Sequence, residues 1–217
     1  MRAAIDERER TVRDFLAAEK SRIALTCHAM ARAFARGGTL LAHGTGPAET
    51  DAAHIAVEFM HPVIVGKRAL PALAPPNDVF TLMRPGDIAM GIEAGASAFL
   101  TQAGARELLT ISFDAGPADF AFTVPSDDPH VRQEVHETTY HVLWELVHVF
   151  FEHPGLLVDA CITCGDIAIE ARVVQIANGS ALIERDGVRE EVALDLVERV
   201  EVGDTLLCHA GVALEKL

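Results

Sequence analysis

The 217-residue chain is poor in cysteine, aromatic residues and basic residues. Its four cysteines, Cys27, Cys161, Cys164 and Cys208, are too few and too scattered for a disulfide scaffold, so they are expected to be thiols. Lysine and arginine number 18 against 32 aspartates and glutamates, which gives a formal net charge of -14. Because that charge would repel nucleic acid and anionic lipid, neither is an expected partner.

Long hydrophobic runs are missing as well. The longest, residues 142–151, is interrupted by Glu145 and His148, whereas a membrane span needs roughly 18 to 20 apolar residues. The first ten residues mix both charge signs and lack the apolar centre of a signal peptide, so a cytoplasmic protein is expected. A composition of 50% hydrophobic and 23% charged residues is typical of one or two folded domains.

Strand and helix patterns alternate over residues 1–152. Apolar residues at helical spacing predict one long or two shorter helices over 1–36, and the Gly44-Thr45-Gly46 turn separates a strand at 39–43 from a helix beginning near Pro47. Further strands are predicted at 63–65, 87–92, 108–113 and 120–124, and further helices at 97–105 and 131–152. Repeated strand–helix units predict an α/β domain with a parallel sheet covered by helices.

Beyond residue 158 the pattern changes to short β-branched stretches separated by turns. Strands are predicted at 167–176, 181–184, 188–192 and 205–209, with turns at Asn178-Gly179, Asp186-Gly187 and 202–204. We therefore divide the chain into an α/β domain at 1–157 and a small all-β domain at 158–217.

Two pairs of side chains on the predicted helices have the spacing of metal ligands. His54 and Glu58 are four residues apart and share one helix face. Gln133 and His141, eight residues apart, are separated by about 80° of rotation and can face one cleft. Imidazole, carboxylate and amide oxygen together suit zinc or a similar divalent ion. Because the chain has ten histidines, the same spacings also fit histidines that are satisfied in a core or an interface.

These motifs carry a family resemblance over roughly residues 1–152. Gly44-x-Gly46 followed by Asp51-Ala52-Ala53-His54-Ile55-Ala56-x-Glu58, and later 131–136 through His141, resemble the phosphoheptose isomerase branch of the sugar isomerase (SIS) fold. The resemblance implies a three-layer αβα sandwich. It also implies that Glu58 and His141 are the acid and base of aldose–ketose isomerisation, and that His54, Glu58, Gln133 and His141 can hold zinc.

The expected phosphate cradle departs from that family. The family supplies a serine in the first glycine loop and a loop rich in serine and threonine after a later strand, whereas this chain has Ala48 and Glu93-Ala94-Gly95-Ala96-Ser97. Ser97 could still donate a hydroxyl, and Glu93 would repel a phosphate dianion unless it is solvated and turned away. The predicted ligand loop comprises Gly44, Thr45, Gly46 and Ser97, and a ligand other than heptose phosphate is favoured.

The second domain opens with Cys161-x-x-Cys164 and ends shortly after Cys208-His209. A single motif of this kind occurs in redox sites and in half of a zinc site. Cys208 and His209 are the nearby candidates to complete such a zinc site. Small buried thiols are a further alternative.

The same segment resembles the HypC/HupF hydrogenase assembly chaperones over nearly all of residues 160–214. The resemblance is carried by Cys161-Ile162, by the strands at 171–174, 181–184 and 188–192, and by 202–204 and 206–214. It implies a barrel similar to the oligonucleotide-binding (OB) fold that carries an iron fragment, Fe(CN)2CO, on a cysteine. Cys161 matches that cysteine, and Cys164 is a candidate second ligand or redox partner. His209 matches a late histidine that either assists the iron or makes a structural hydrogen bond.

Together the resemblances predict a hydrogenase maturation factor. It would receive the iron fragment on a HypD-type scaffold protein and deliver it to the nickel-iron hydrogenase large subunit. SIS domains usually pair through helices, so a homodimer or homotetramer is expected. The alternatives are a phosphosugar isomerase with a regulatory barrel, and a binding module in which the SIS domain only dimerises two chaperone barrels.

Overall fold

The structure, a computed structural model, describes residues 2–75, 79–153, 157, 168–185, 187–209 and 211–217. The chain forms two compact units. The first comprises Met1–Glu19 and Arg32–Glu145, and the second comprises Lys20–Ala31 and Leu146–Leu217. Within the described parts of the chain, every helix is too short or too polar to span a lipid bilayer.

The first unit is built on a five-stranded parallel sheet. The sheet order is β2-β1-β3-β4-β5, and all neighbouring strands run parallel. Two helices, α1 and α5, also contribute residues 20–31 and 146–152 to the second unit. In chain order the elements are α1 (Arg2–Ala35), β1 (Leu40–His43), α2 (Ala48–Met60), β2 (Ala72–Leu73), α3 (Val79–Leu82), β3 (Ile88–Ile92), a 3-10 turn (Ala94–Ala96), α4 (Ser97–Gly104), β4 (Leu109–Phe113), β5 (Phe120–Phe122) and α5 (Pro129–Glu152).

The central strands β3 and β4 are buried along almost all of their length. Every residue of β3 is buried, and so are the last four residues of β4. Consecutive strand residues point to opposite faces, so this burial means that both faces of the sheet are covered. The predicted α/β fold with a parallel sheet is therefore confirmed.

The strand predicted at 63–65 was wrong. Val63 and Val65 are 79% and 100% exposed, and the segment forms bends and a turn that ends at Gly66. The edge strand instead lies at Ala72–Leu73, where Ala72 pairs with Leu40 of β1. β-branched residues favour strands only where a neighbouring strand and a core bury them, and this segment has neither.

The barrel of the second unit closes through five strands. They are β6 (Ile169–Ala177), β7 (Ser180–Arg185), β8 (Val188–Ala193), β9 (Thr205–His209) and β10 (Val212–Lys216), in the order β10-β8-β7-β6-β9 with β9 paired to β10. Asn178 and Gly179 both have positive φ angles, 50° and 83°, as the tight turn between β6 and β7 requires. The strand β10 was not predicted, although it pairs with both β8 and β9 and so closes the barrel.

Candidate metal and acid-base site

The helix α2 carries His54 and Glu58, and the preceding glycine loop fixes where it begins. A Cβ atom on Gly44 would lie 2.6 Å from the carbonyl carbon of Ala48 and 2.8 Å from Ala48 Cβ. Only glycine therefore lets the loop approach the first turn of α2 this closely. Pro47 stands immediately before the helix, where a missing N–H group costs little.

Three of the predicted ligands, His54, Glu58 and His141, come together from α2 and α5. His54 Nε2 lies 3.4 Å from Glu58 Oε1, and His141 Nε2 lies 3.8 Å from the same oxygen. The imidazole rings meet edge-on with centroids 5.1 Å apart. One ligand atom from each residue lies within 4.8 Å of the other two, and all three residues are partly exposed. Two imidazoles and one carboxylate, open to solvent, form a donor set that fits a catalytic divalent ion such as zinc.

The far side of the His54 ring is held by α5. Tyr140 Oη lies 2.9 Å from His54 Nδ1, and Glu137 Oε1 lies 3.5 Å from the same nitrogen. The tyrosine ring is buried and meets the imidazole edge-on at 82°. Burial, together with the nearby Glu137, Asp51 and Glu58 carboxylates, raises the pKa of Tyr140 well above its usual value, so its hydroxyl keeps the proton.

The fourth predicted ligand, Gln133, contacts a different residue of α2. Its Nε2 donates a hydrogen bond to Asp51 Oδ1 at 3.2 Å. Gln133 precedes His141 on α5 by eight residues, which is about 12 Å along the helix axis. The amide nitrogen is engaged by Asp51, so the amide oxygen is the atom that could bind a metal. A metal-binding role for Gln133 stays a prediction.

The predicted ligand loop lies at the carboxyl edge of the sheet. β1 is followed by a crossover to β2 on one side, and β3 by a crossover to β4 on the other, and this change of direction is where open α/β sheets bind ligands. A Cβ atom on Gly95 would overlap Thr45 Oγ1, and one on Gly116 would lie 3.4 Å from Ser97 Oγ. The two hydroxyls therefore flank the loops that follow β1, β3 and β4.

The departures from a phosphate cradle are visible at this edge. Glu93 follows β3 directly, is partly buried, and holds a left-handed φ of 58° that is unusual for a residue other than glycine. A cavity of about 270 Å³ opens beside the first glycine loop, and its polar side chains are His43 and Glu49. Burial lowers the pKa of His43, which favours a neutral imidazole.

Two of the predicted iron ligands, Cys161 and Cys164, lie outside the described residues. Cys208 is buried in the barrel core. Burial, and to a smaller extent the negative charge of Glu190, raises the pKa of its thiol to about 12. His209, the next residue on β9, is also buried. Adjacent strand residues point to opposite faces, so a zinc site that uses both Cys208 and His209 does not fit. A role for His209 beside the iron fragment stays a prediction.

Phosphoheptose isomerases are similar in sequence to most of the chain. The phosphoheptose isomerase of Thermodesulfovibrio yellowstonii is 30% identical over 188 residues, covering 71% of this chain and 94% of that protein. The chain belongs to the phosphoheptose isomerase family. Solved structures of phosphoheptose isomerases from Neisseria gonorrhoeae and Francisella tularensis cover 68% of the chain and 96% of their own, with TM-scores of 0.59 and 0.60 at 21% and 19% identity. They confirm that the family's SIS fold is present.

The remainder of the chain matches a second family. The HupF/HypC family model matches residues 167–217, a range that contains all five strands of the closed barrel. The chain thus joins a phosphoheptose isomerase-type SIS domain to a HupF/HypC domain, as the two sequence resemblances predicted. The boundary between residues 157 and 158 stays a prediction.

Three residues at the isomerase-type site were not predicted, namely Asp51, Glu137 and Tyr140. The signal for two of them was present in the sequence. Glu137 stands four residues before His141 and three before Tyr140, a spacing that places all of them on one side of α5. Tyr140 is also the only tyrosine in the chain.

Proposed function

We propose that the chain is a maturation factor for nickel-iron hydrogenase and that Cys161 carries the Fe(CN)2CO fragment. The observation that supports the maturation role most is the HupF/HypC match over residues 167–217, which coincides with the closed barrel. Cys161 precedes the matched range, so its carrier role rests on the sequence resemblance. The partners would be a HypD-type scaffold protein and the hydrogenase large subunit. A homodimer or homotetramer in the cytoplasm is part of the same proposal.

The chemistry favours Cys161 over the described cysteines. A thiolate is a soft ligand that suits low-valent iron bearing carbon monoxide and cyanide, and a carrier must expose it. Cys27 and Cys208 are both buried, and burial raises the pKa of each thiol. Cys164, three residues after Cys161, is the candidate second ligand.

Infrared spectroscopy tests the carrier role. The full chain is co-expressed with a HypD-type scaffold and purified without oxygen, and the cyanide and carbonyl stretching bands are recorded. We expect bands in the wild type, their loss in Cys161→Ala, and their retention in Cys208→Ala, which removes an equal thiol from the barrel core. Bands that survive Cys161→Ala would contradict the proposal. So would co-purification of the two wild-type proteins without any bands.

The geometry of His54, Glu58 and His141 supports a second function for the SIS domain, the isomerisation of an aldose and a ketose at a divalent-metal site. Glu58 Oε1 and His141 Nε2 lie 3.8 Å apart, so both could reach one bound sugar and move a proton between its adjacent carbons. A bound divalent ion would polarise the substrate carbonyl. The cavity beside the first glycine loop offers a neutral imidazole and a carboxylate, and Glu93 would repel a phosphate, so an unphosphorylated sugar is the proposed substrate class.

Turnover assays test the isomerase proposal. Aldose–ketose pairs are supplied with and without a phosphate group, in the presence of zinc. We expect turnover of an unphosphorylated sugar that is lost in Glu58→Gln. Glu134→Gln serves as the control, because Glu134 is a carboxylate on α5 that pairs with Arg8 instead. Equal activity in Glu58→Gln and wild type, or turnover confined to phosphorylated sugars, would contradict the proposal.

A further inference from the structure

We infer that Tyr140 and Glu137 are positioning residues that hold Nδ1 of His54 in its protonated, N–H form, so that the Nε2 lone pair faces Glu58 and His141. This inference rests on the metal site proposed above. It assigns a role to two residues of α5 that neither the motif spacing nor the family match had marked.

The contacts that Tyr140 and Glu137 make with Nδ1 restrain the His54 imidazole ring. Tyr140 Oη lies 2.9 Å from His54 Nδ1, and Glu137 Oε1 lies 3.5 Å from it, whereas Glu58 Oε1 faces the opposite nitrogen at 3.4 Å. The Tyr140 side chain is 1% exposed and cannot easily swing away. A histidine that binds a metal through one ring nitrogen usually donates its other N–H to a carboxylate or another acceptor, which fixes the tautomer and the orientation.

Once Nε2 is taken as the atom that binds the metal, the direction of the hydrogen bonds follows from the proton count. A neutral imidazole has one N–H group, so a lone pair on Nε2 requires the proton on Nδ1. Nδ1–H then donates to Tyr140 Oη, and the tyrosine hydroxyl can direct its own proton towards the Glu137 carboxylate, which is one of the groups that raise the pKa of Tyr140. Glu137 can only accept when ionised, so it closes the chain of hydrogen bonds in a single direction. Without these two residues, Nε2–H could donate to Glu58 instead, and the lone pair would face away from His141.

Zinc affinity tests this role in the full-length protein. The chain is stripped of metal, and the zinc dissociation constant is measured by competition with a chromophoric chelator for wild type, Tyr140→Phe and Glu137→Gln. Tyr140→Phe keeps the buried ring and removes only the hydroxyl, and we expect binding that is about 10- to 100-fold weaker. The matched control is Thr138→Val, which removes a hydroxyl that bonds only the backbone of α5, to Glu134 O, and leaves affinity unchanged.

The second readout is the tautomer of His54 itself. Ring 15N NMR of histidine-labelled protein, with the His54 signals assigned by their loss in His54→Gln, distinguishes Nδ1–H from Nε2–H. We expect the Nδ1–H form in wild type and its loss in Tyr140→Phe. If wild type binds no zinc, the metal site fails, yet the NMR comparison still decides the role of Tyr140. An unchanged His54 tautomer in Tyr140→Phe, or wild-type zinc affinity in that variant, overturns the inference.

Discussion

Substituting Gly44 by alanine should damage the metal site from a distance. The new Cβ would lie 2.6 Å from the carbonyl carbon of Ala48, well inside the 3.5–4.0 Å or so at which carbon atoms pack best. Ala48 presents backbone here and cannot rotate aside. The first turn of α2 must therefore move by roughly 1 Å before the alanine fits.

That movement reaches the metal ligands because they lie on the same helix. His54 and Glu58 follow Ala48 by six and ten residues, whereas His141 is on α5. Displacing two of three ligands by roughly 1 Å should weaken zinc binding about 10- to 100-fold. The crowding itself should lower the free energy of unfolding by about 1–3 kcal/mol.

Gly46→Ala is the matched control in the same loop. Gly46 has a φ of +60°, and a Cβ atom added there would have no other atom within 4 Å. Alanine at this position should therefore cost about 1–2 kcal/mol of backbone strain without displacing α2. Zinc competition and urea unfolding are measured for both variants. The reasoning fails if Gly44→Ala binds zinc like wild type, or if Gly46→Ala loses the same affinity.

Three further predictions concern stability. Burial raises the pKa of Cys208 to about 12, so above about pH 9 the unfolded chain loses a proton that the folded chain retains. The Cys208 thiol should then lower the free energy of unfolding by about 1.4 kcal/mol per pH unit, in addition to the same effect of the buried Cys27 thiol, and a Cys208→Ala variant with the same slope as wild type in urea titrations would contradict this. Asp119 accepts two hydrogen bonds from Thr110, both at 2.8 Å. Asp119→Ala should therefore lower the free energy of unfolding, measured in urea, by about 2–3 kcal/mol, and a loss below about 0.5 kcal/mol would refute that. Val65→Ser should change stability by less than about 0.5 kcal/mol, because Val65 is fully exposed, and a larger loss in thermal unfolding would place it in a core.

The parallel sheet could be predicted from the sequence because strands that are buried on both faces have continuous apolar sequences. Residues 88–92 are apolar without alternation, which is the pattern of a strand covered on both sides. The segment 63–65 is also entirely apolar, over a shorter length, but it lacks such cover, and an apolar sequence alone does not reveal whether a neighbouring strand exists. The strand β10 was not predicted although it follows β9 after two residues; its other partner, β8, is distant in the chain, and Val212 pairs with Ala193 there.

Only the part of the site that follows from the geometry of single helices could be predicted from the sequence. Spacing of four residues places His54 and Glu58 on one face, and the structure brings His141 to them. Rotation alone also suggested Gln133, and a rise of about 12 Å over eight residues brings it level with Asp51, so its role as a metal ligand stays a prediction. The spacing of residues within one helix fixes the direction in which their side chains leave the helix axis. Which residues of two helices lie at the same level depends on how the helices pack against each other.

The two proposed sites use donors that favour different metals, and this separates their chemistry. Imidazole nitrogen and carboxylate oxygen at His54, Glu58 and His141 suit zinc and similar divalent ions, whereas the Cys161 thiolate suits iron that already carries carbon monoxide and cyanide. A chain with both can bind a resident ion at one site and pass a cargo through the other without either displacing the other. On this argument, Cys161→Ala should leave zinc affinity unchanged, and Glu58→Gln should leave the infrared bands intact. Loss of both properties in either variant would mean that the two sites are coupled.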